Sequence, residues 1–574
     1  MPVEAPPVRP PLLPAARWGR AALALLLLAT LCRSLMFASS QPTLLAPDED
    51  YHFHYVNYLV TQHALPTVRG NFATAETYAM AGDTGLGVFL QGPMASFSGT
   101  PHAVVATLDR LPGGYRKPTA PGTRNVLHTP GWHAGAAAVD RLAGGSSPVT
   151  RLTLMRYYSA VLGTIAVFFA WLLAAQVLAR TWQALAAASL LTFQPIAAFS
   201  SSTMTNDVLV LLGFTATLAW CAFLLRSAPR SRQGVGLGLA LTVALLAKST
   251  ALALVPLVGL TLLLVLATHR AQWRAVLGIA AWGAGIPLVL AGWWYIYARS
   301  QTGSFLGGSA AVGATLGSEA SHGIGHLPQA VYTWFANVYP GYWFEYLGYE
   351  VKQHDVWFYL PLVVGLLGIA GLAWRLVALR RTLLRPEAAE LRQLVLLICA
   401  PLVLLGPPLF VDVVRELHGL PFAENQARFQ MAAFPAVAVL MIVGLRQLTS
   451  RAPRAFPAAT GLLVALAAVF YWHDYVVWGL ERFYGPLGAG LDTLLRNAGW
   501  LKPEWVGPAW FIALFAISAL ATLAAFALTV VGVRRERPGG DPALAASGST
   551  MSAAATPAVL RDAPPPDRES RARR

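Results

Sequence analysis

The sequence predicts an all-α, polytopic membrane protein with about twelve transmembrane helices and a large first outer loop. Three observations carry that expectation. The 574 residues are 56% hydrophobic and only 12% charged, with a mean hydropathy of +0.52, whereas soluble domains carry about 25% charged residues. Apolar runs long enough to cross a bilayer recur along nearly the whole chain. Clusters of Arg fall in alternate short loops, the pattern of cytoplasmic connections. Together these exclude a soluble multidomain enzyme. A β-barrel is excluded too, because its strands alternate rather than stay apolar for about 20 residues. The net charge of +15 belongs mostly to those short loops, so no nucleic-acid partner is expected. Cys32, Cys221 and Cys399 lie in apolar stretches without CxxC spacing, which gives no metal or disulfide framework.

Residues 1–20 are Pro-rich and basic and read as a disordered cytoplasmic terminus. A first span begins at Ala21, is broken by Arg33 and runs on to Ala38. Ala38 and Ser40 are also spaced like a cleavage site before Gln41, so a signal peptide is the alternative. Apolar runs follow at 157–178, 184–203, 207–225, 235–247, 250–267, 276–297, 357–374, 394–411, 431–445, 456–477 and 509–533. The core of the chain is therefore 21–533, with a disordered cytoplasmic tail at 534–574. Four sizeable loops, 41–156, 298–356, 412–430 and 478–508, fall on the outer side, and this asymmetry points to function on that face.

Ionisable residues at the outer ends of spans are the functional candidates. Pro47-Asp48-Glu49-Asp50-Tyr51-His52-Phe53-His54 is the densest cluster. In a helix starting at Asp48, Asp48 and His52 share a face. Such a group suits a general base, a metal site or a proton relay; an ordinary acidic helix start explains it equally. Asp207, in Ser-Ser-Thr-Met-Thr-Asn-Asp before an apolar run, reads as a second acid or as an N-cap. Lys248 and Arg428 break the positive-inside pattern, which invites an anionic ligand; snorkelling is the alternative. His128-Thr129-Pro130 reads as a turn, and the aromatic stretch 332–357 as an interfacial belt. No Walker A sequence is present.

These pieces resemble the glycosyltransferase-C superfamily, and within it a bacterial family of uncharacterised integral membrane proteins related to protein O-mannosyltransferases and lipid A aminoarabinose transferases. The matching segments are Pro47-Asp48-Glu49-Asp50-Tyr51-His52, Leu127-His-Thr-Pro-Gly-Trp132, Ser201 to Asp207, Ala247-Lys248-Ser249-Thr250, Tyr342-Trp-Phe-Glu-Tyr-Leu-Gly348 and Asn425-Gln-Ala-Arg428-Phe429 with Pro435. The chain departs from the relatives at Gly131, where Pro is common, and at Ala427, where Gly is common. The resemblance covers roughly residues 20–530.

The resemblance implies a multi-pass protein of the inner (plasma) membrane that moves a sugar from a polyprenyl-phosphate donor to a cell-envelope glycan, lipid or protein. It assigns Asp48 as base, Glu49 as its support and Asp207 as second acid. Lys248 and Arg428 would hold the lipid phosphate and His52 would touch substrate. A divalent cation is admitted but not required. A transporter or flippase of a lipid-linked precursor is the competing class. It is disfavoured because no internal repeat is visible and the charged residues sit at span ends rather than at mid-membrane. A non-catalytic assembly subunit is a third.

Overall fold

The computed structural model describes residues 13–68, 70–83, 113–121, 128–305, 324–343, 356–385, 389–420, 427–473, 478–485, 490–500 and 502–536. Its helices, in order, are α1 (Arg17–Ser40), α2 (Glu49–Gln62), α3 (Ala75–Asp83), α4 (Gly131–Ala143), α5 (Pro148–Val177), α6 (Thr181–Thr192), α7 (Pro195–Ser200), α8 (Asp207–Leu224), α9 (Gln233–Ala247) and α10 (Leu254–Thr268). They continue with α11 (Trp273–Leu290), α12 (Gly292–Thr302), α13 (Leu327–Trp343), α14 (Val356–Leu379), α15 (Ala389–Leu417), α16 (Phe434–Leu448), α17 (Ala455–Phe470), α18 (Trp478–Tyr484), α19 (Leu491–Ala498) and α20 (Pro508–Arg535). A short antiparallel pair, β1 (Asn71–Thr74) with β2 (Pro118–Pro121), lies between α1 and α4 in the chain. The all-α membrane fold is as expected.

Among the described residues, ten helices are long and apolar enough to cross a bilayer. The other two runs read from the sequence are the shorter helices α6 and α9. The run at 184–203 is split by Pro195, which opens α7 with Gln194 as its cap: Gln194 Oε1 accepts from the Ala197 amide at 2.7 Å. Pro cannot donate to the helix ladder, so a helix boundary before it follows. Arg380, Arg381 and Arg385 belong to one end of the bundle, where Arg375 and Arg446 share Glu390.

At the core α8 is almost wholly buried, packed on α5 and α9. α1 lies against α20 and α5, and Ser518 Oγ donates to the Ala29 carbonyl at 2.9 Å. α14 meets α16 through glycine: a Cβ on Gly371 would stand 2.1 Å from the Gly444 carbonyl. Small residues let membrane helices approach this closely. α14, α17 and α20 keep exposed apolar faces, as contact with lipid requires.

The described parts of the stretch read as the loop 41–156 are folded onto this bundle. α5 starts at Pro148, capped by Ser147, well inside the stretch read as loop 41–156. Arg151 of α5 is buried among Glu76 of α3, Asp140 of α4 and Asn57 of α2, and Arg116 also pairs with Asp140. Four loop segments are thereby tied to one transmembrane helix, which makes α2 and α4 fixed walls rather than mobile cover.

Candidate functional site

The chain leaves α1 at Gln41 and turns at Asp48, which adopts the left-handed conformation with φ 61°. Asp tolerates this region better than most residues, yet it costs about 1–3 kcal/mol and is held by surrounding structure. α2 then begins at Glu49. The His52 amide donates to the Asp48 carbonyl at 3.0 Å, so Asp48 and His52 stand one turn apart.

Asp48 and Glu49 diverge at this turn. The Glu49 carboxylate is fully buried and bidentate with Arg156 of α5, at 2.7 Å to Nε and 2.5 Å to Nη2, and accepts the Met204 amide at 3.1 Å. Arg156 in turn donates to the carbonyls of Gln41 and Pro42 at 2.8 and 2.7 Å. Lys502 also donates to Gln41, and burial, with Arg156 beside it, holds its ammonium well below the ordinary lysine range.

Asp48 is partly open. Its side chain is 34% exposed and takes one bond of 2.5 Å from Arg428 Nη2. Arg428 also donates to the Pro47 carbonyl at 3.3 Å, and its Nε lies 3.7 Å from Asp207 Oδ2. Asp207, at the first turn of α8, accepts from Lys248 Nζ at 2.7 Å. Lys248 sits 4.3 Å above the Phe429 ring, and Arg428 stacks on the same ring at 5.5 Å. Asp48, Asp207, Lys248 and Arg428, up to 380 residues apart, thus form one cluster. Asp207 and Lys248, for which capping and snorkelling were the alternatives, form an ion pair. The cap position, Asn206, instead ties the α8 start to α9 through the Ala247 carbonyl at 3.0 Å.

Against this cluster stand three imidazoles. His52 Nδ1 is 2.9 Å from His133 Nε2, and His133 Nδ1 is 3.1 Å from the Thr129 carbonyl. Ring centroids of His52 and His128 are 5.3 Å apart, and Tyr55 stacks on His133 at 4.1 Å. Burial is the main cause holding all three well below the ordinary histidine value: His133 at about 3, His128 at about 4 with Lys248 adding to the effect, and His52 with its imidazole neighbours adding to the effect.

His128, read as part of a turn, therefore belongs to the site wall. Arg156 and His133 were not singled out in the sequence. Arg156 carried the same signal as Lys248, a cation on the outer side hard against an apolar run. His133 carried none, being a lone His in an Ala-rich helix. The aromatic stretch splits. Tyr332 and Phe335 are exposed, but Trp334 is buried with its indole donating to Asp412 at 3.0 Å. Leu127 and residues 344–348 and 425–426 of the matched motifs lie outside the described residues.

Among the described residues no group of three His, Cys, Asp or Glu side chains is placed to hold a metal ion. Among the described residues, Asp48 and Asp207 are paired with Arg428 and Lys248, and these side chains as they stand do not form a divalent-cation site.

The fold and site define a polytopic α-helical membrane protein with a buried ionic cluster at one end of its helix bundle. Residues 148–295, about a quarter of the chain, match the family described as dolichyl-phosphate-mannose-protein mannosyltransferase. Among solved structures it is similar to ArnT from Cupriavidus metallidurans bound to undecaprenyl phosphate, at 15% identity over 94% of this chain and 80% of that one, TM-score 0.43. The apo state of the same protein matches at 16% identity over 87% and 76%, TM-score 0.39. The oligosaccharyltransferase of Archaeoglobus fulgidus in complex with Zn and sulfate matches at 13% identity over 82% and 54%, TM-score 0.45. No curated protein matches the chain.

Proposed function

We propose that this chain is an inner-membrane glycosyltransferase that moves a sugar from a polyprenyl-phosphate donor to a cell-envelope acceptor on the outer face. The observation that carries the reading is the convergence of Asp48, Asp207, Lys248 and Arg428 from four separate segments. It puts two cations beside a carboxylate that is still reachable from outside.

The roles follow from charge and exposure. Lys248 and Arg428 receive the donor phosphate, Arg428 exchanging Asp48 for a phosphate oxygen while Lys248 keeps Asp207 and offers its remaining N–H groups. Fixed cations stabilise the charge that grows on the leaving phosphate. Asp48 takes the proton of the acceptor hydroxyl as its oxygen bonds to the sugar C1. The C1–O bond to phosphate breaks and its electron pair leaves with the phosphate. Asp207 holds Lys248 and the Arg428 guanidinium in place. Glu49 acts through Arg156 as a positioning residue, setting the turn that presents Asp48. His52 contacts substrate. A transporter needs ionisable groups along a path through the membrane; this cluster lies at helix ends.

Mass spectrometry of envelope glycans from cells with and without the chain tests the reading. Loss of one glycan species, restored by the native chain and not by Asp48→Asn, is the expected result. Unchanged glycans overturn it. Reporter fusions at Gly419 and Arg230 test the sides, with Gly419 expected outside and Arg230 inside.

A further inference from the structure

The ionic cluster is charge-balanced before any ligand arrives. Asp48 and Asp207 face Lys248 and Arg428, two charges of each sign. A phosphate docking between the cations adds negative charge to a largely buried pocket, where it is poorly screened. Something nearby must compensate. The uncharged groups beside it that ordinarily titrate near neutrality are His52, His128 and His133.

Hydrogen bonding shows where a proton can go. The Thr129 carbonyl only accepts, so His133 Nδ1 carries a hydrogen and His133 Nε2 offers its lone pair. His52 Nδ1 therefore donates to His133. In the neutral chain this leaves the lone pair of His52 on Nε2. Protonating His133 would set two N–H groups against each other across 2.9 Å, which closes that ring to the proton. His52 and His128 remain. His128 Nε2 is buried without a hydrogen-bond partner among the described residues, and its Nδ1 lies 3.5 Å from Asn206 Nδ2. The groups surrounding the two rings are Asp48 and Tyr55 around α2, His133 of α4, Asp207 of α8, and Lys248 and Arg428. Burial comes first in keeping both rings neutral, and Lys248 and Arg428 add to it by charge; a phosphate counters those two cations.

We propose that the His52–His128 pair is a proton-accepting element of the site, neutral when the site is empty and charged by uptake of one proton when a lipid-linked phosphate binds. This rests on the reading that Lys248 and Arg428 hold such a phosphate. His133 is the positioning residue that directs the proton away from itself. The sign follows by linkage: the complex holds more protons than the empty protein, so affinity rises as pH falls, by up to about tenfold per unit for one proton. The rise ends where the carboxylates begin to titrate.

Isothermal titration of the purified full chain in detergent, in two buffers of different ionisation heat, measures the uptake directly. The probes are undecaprenyl phosphate and its methyl diester, whose remaining acid group stays ionised near neutrality. Uptake of up to about one proton with the diester, reduced in His52→Asn and in His128→Gln, is the expected result. Binding of both probes with no proton uptake overturns the inference and leaves the phosphate site standing. Uptake undiminished in both variants overturns the assignment to these histidines. Failure of either probe to bind the native chain removes the phosphate site and the inference with it. The native chain carries the decisive arm, so a variant that fails to fold does not rescue the idea.

Discussion

Asp48 and Glu49 are neighbours in sequence and opposites in structure. Glu49 is sealed, its two oxygens matched by one guanidinium and a backbone amide. Asp48 is a third exposed and held by a single strong contact from Arg428. The difference comes from one left-handed residue, which turns the Asp48 side chain toward the segments of Asp207 and Arg428 while α2 carries Glu49 into the bundle. A buried carboxylate with both oxygens engaged by protein holds the fold together. One with a free oxygen and an exchangeable partner is available to a ligand. The same contrast separates the cations: Arg156 is committed to Glu49 and backbone carbonyls, whereas Arg428 has in Asp48 a partner that a phosphate can replace and Lys248 has N–H groups beyond the one Asp207 takes.

The largest expected effect breaks the sealed side. Glu49→Gln leaves Arg156 buried without its counter-charge, a loss of about 3–5 kcal/mol, which is a large part of a typical domain's stability. Thermal unfolding in detergent should show a markedly lower midpoint and a low yield of monodisperse protein. A native-like melt would mean that Glu49 does not anchor the turn.

Asp48→Asn should do the reverse. Sugar transfer is expected to fall by about 10²–10⁴-fold, the usual worth of acid–base catalysis, while melting and yield stay near native. If transfer survives in Asp48→Asn but is lost in a well-folded Glu49→Gln, the two roles exchange.

Arg428→Ala should weaken binding of undecaprenyl phosphate by about ten- to a hundredfold, from the loss of a charged hydrogen bond. Arg428→Lys should recover only part, since the planar fork contacts oxygens in pairs. Equal affinity of all three proteins in a lipid-binding titration would return Arg428 to a purely structural pairing with Asp48.

The smallest effect is expected at Asp50. It lies beside the pair, yet no carboxylate contact to Lys or Arg is described for it. Burial and the neighbouring Asp48 and Glu49 raise its carboxyl above the ordinary range. Asp50→Asn should change stability by about 0.5 kcal/mol or less and leave transfer close to native. A large loss of transfer there would show that the motif's third acid takes part.

The helix bundle was legible because each span announces itself by local composition. An apolar run of about 20 residues has few alternatives to a membrane helix, and Arg in alternate loops orders the spans without any knowledge of their packing. That is why α1, α5, α8, α10, α11, α14 to α17 and α20 follow the apolar pattern, and why the boundary errors fall at Pro195 and at Pro148, where capping rather than hydropathy decides. The acidic motif and the misplaced cations Lys248 and Arg428 were also visible one at a time, each with an ordinary structural alternative. Only tertiary structure chose between the alternatives. Which carboxylate is sealed depends on Arg156, 107 residues from Glu49. Whether Lys248 snorkels depends on Asp207, 41 residues away. The part played by His128 depends on α2 and α4 packing side by side. Hydropathy is a sum over neighbours in the chain. Charge pairing and burial act over a few ångströms in space, between residues whose separation in sequence carries no record of the contact.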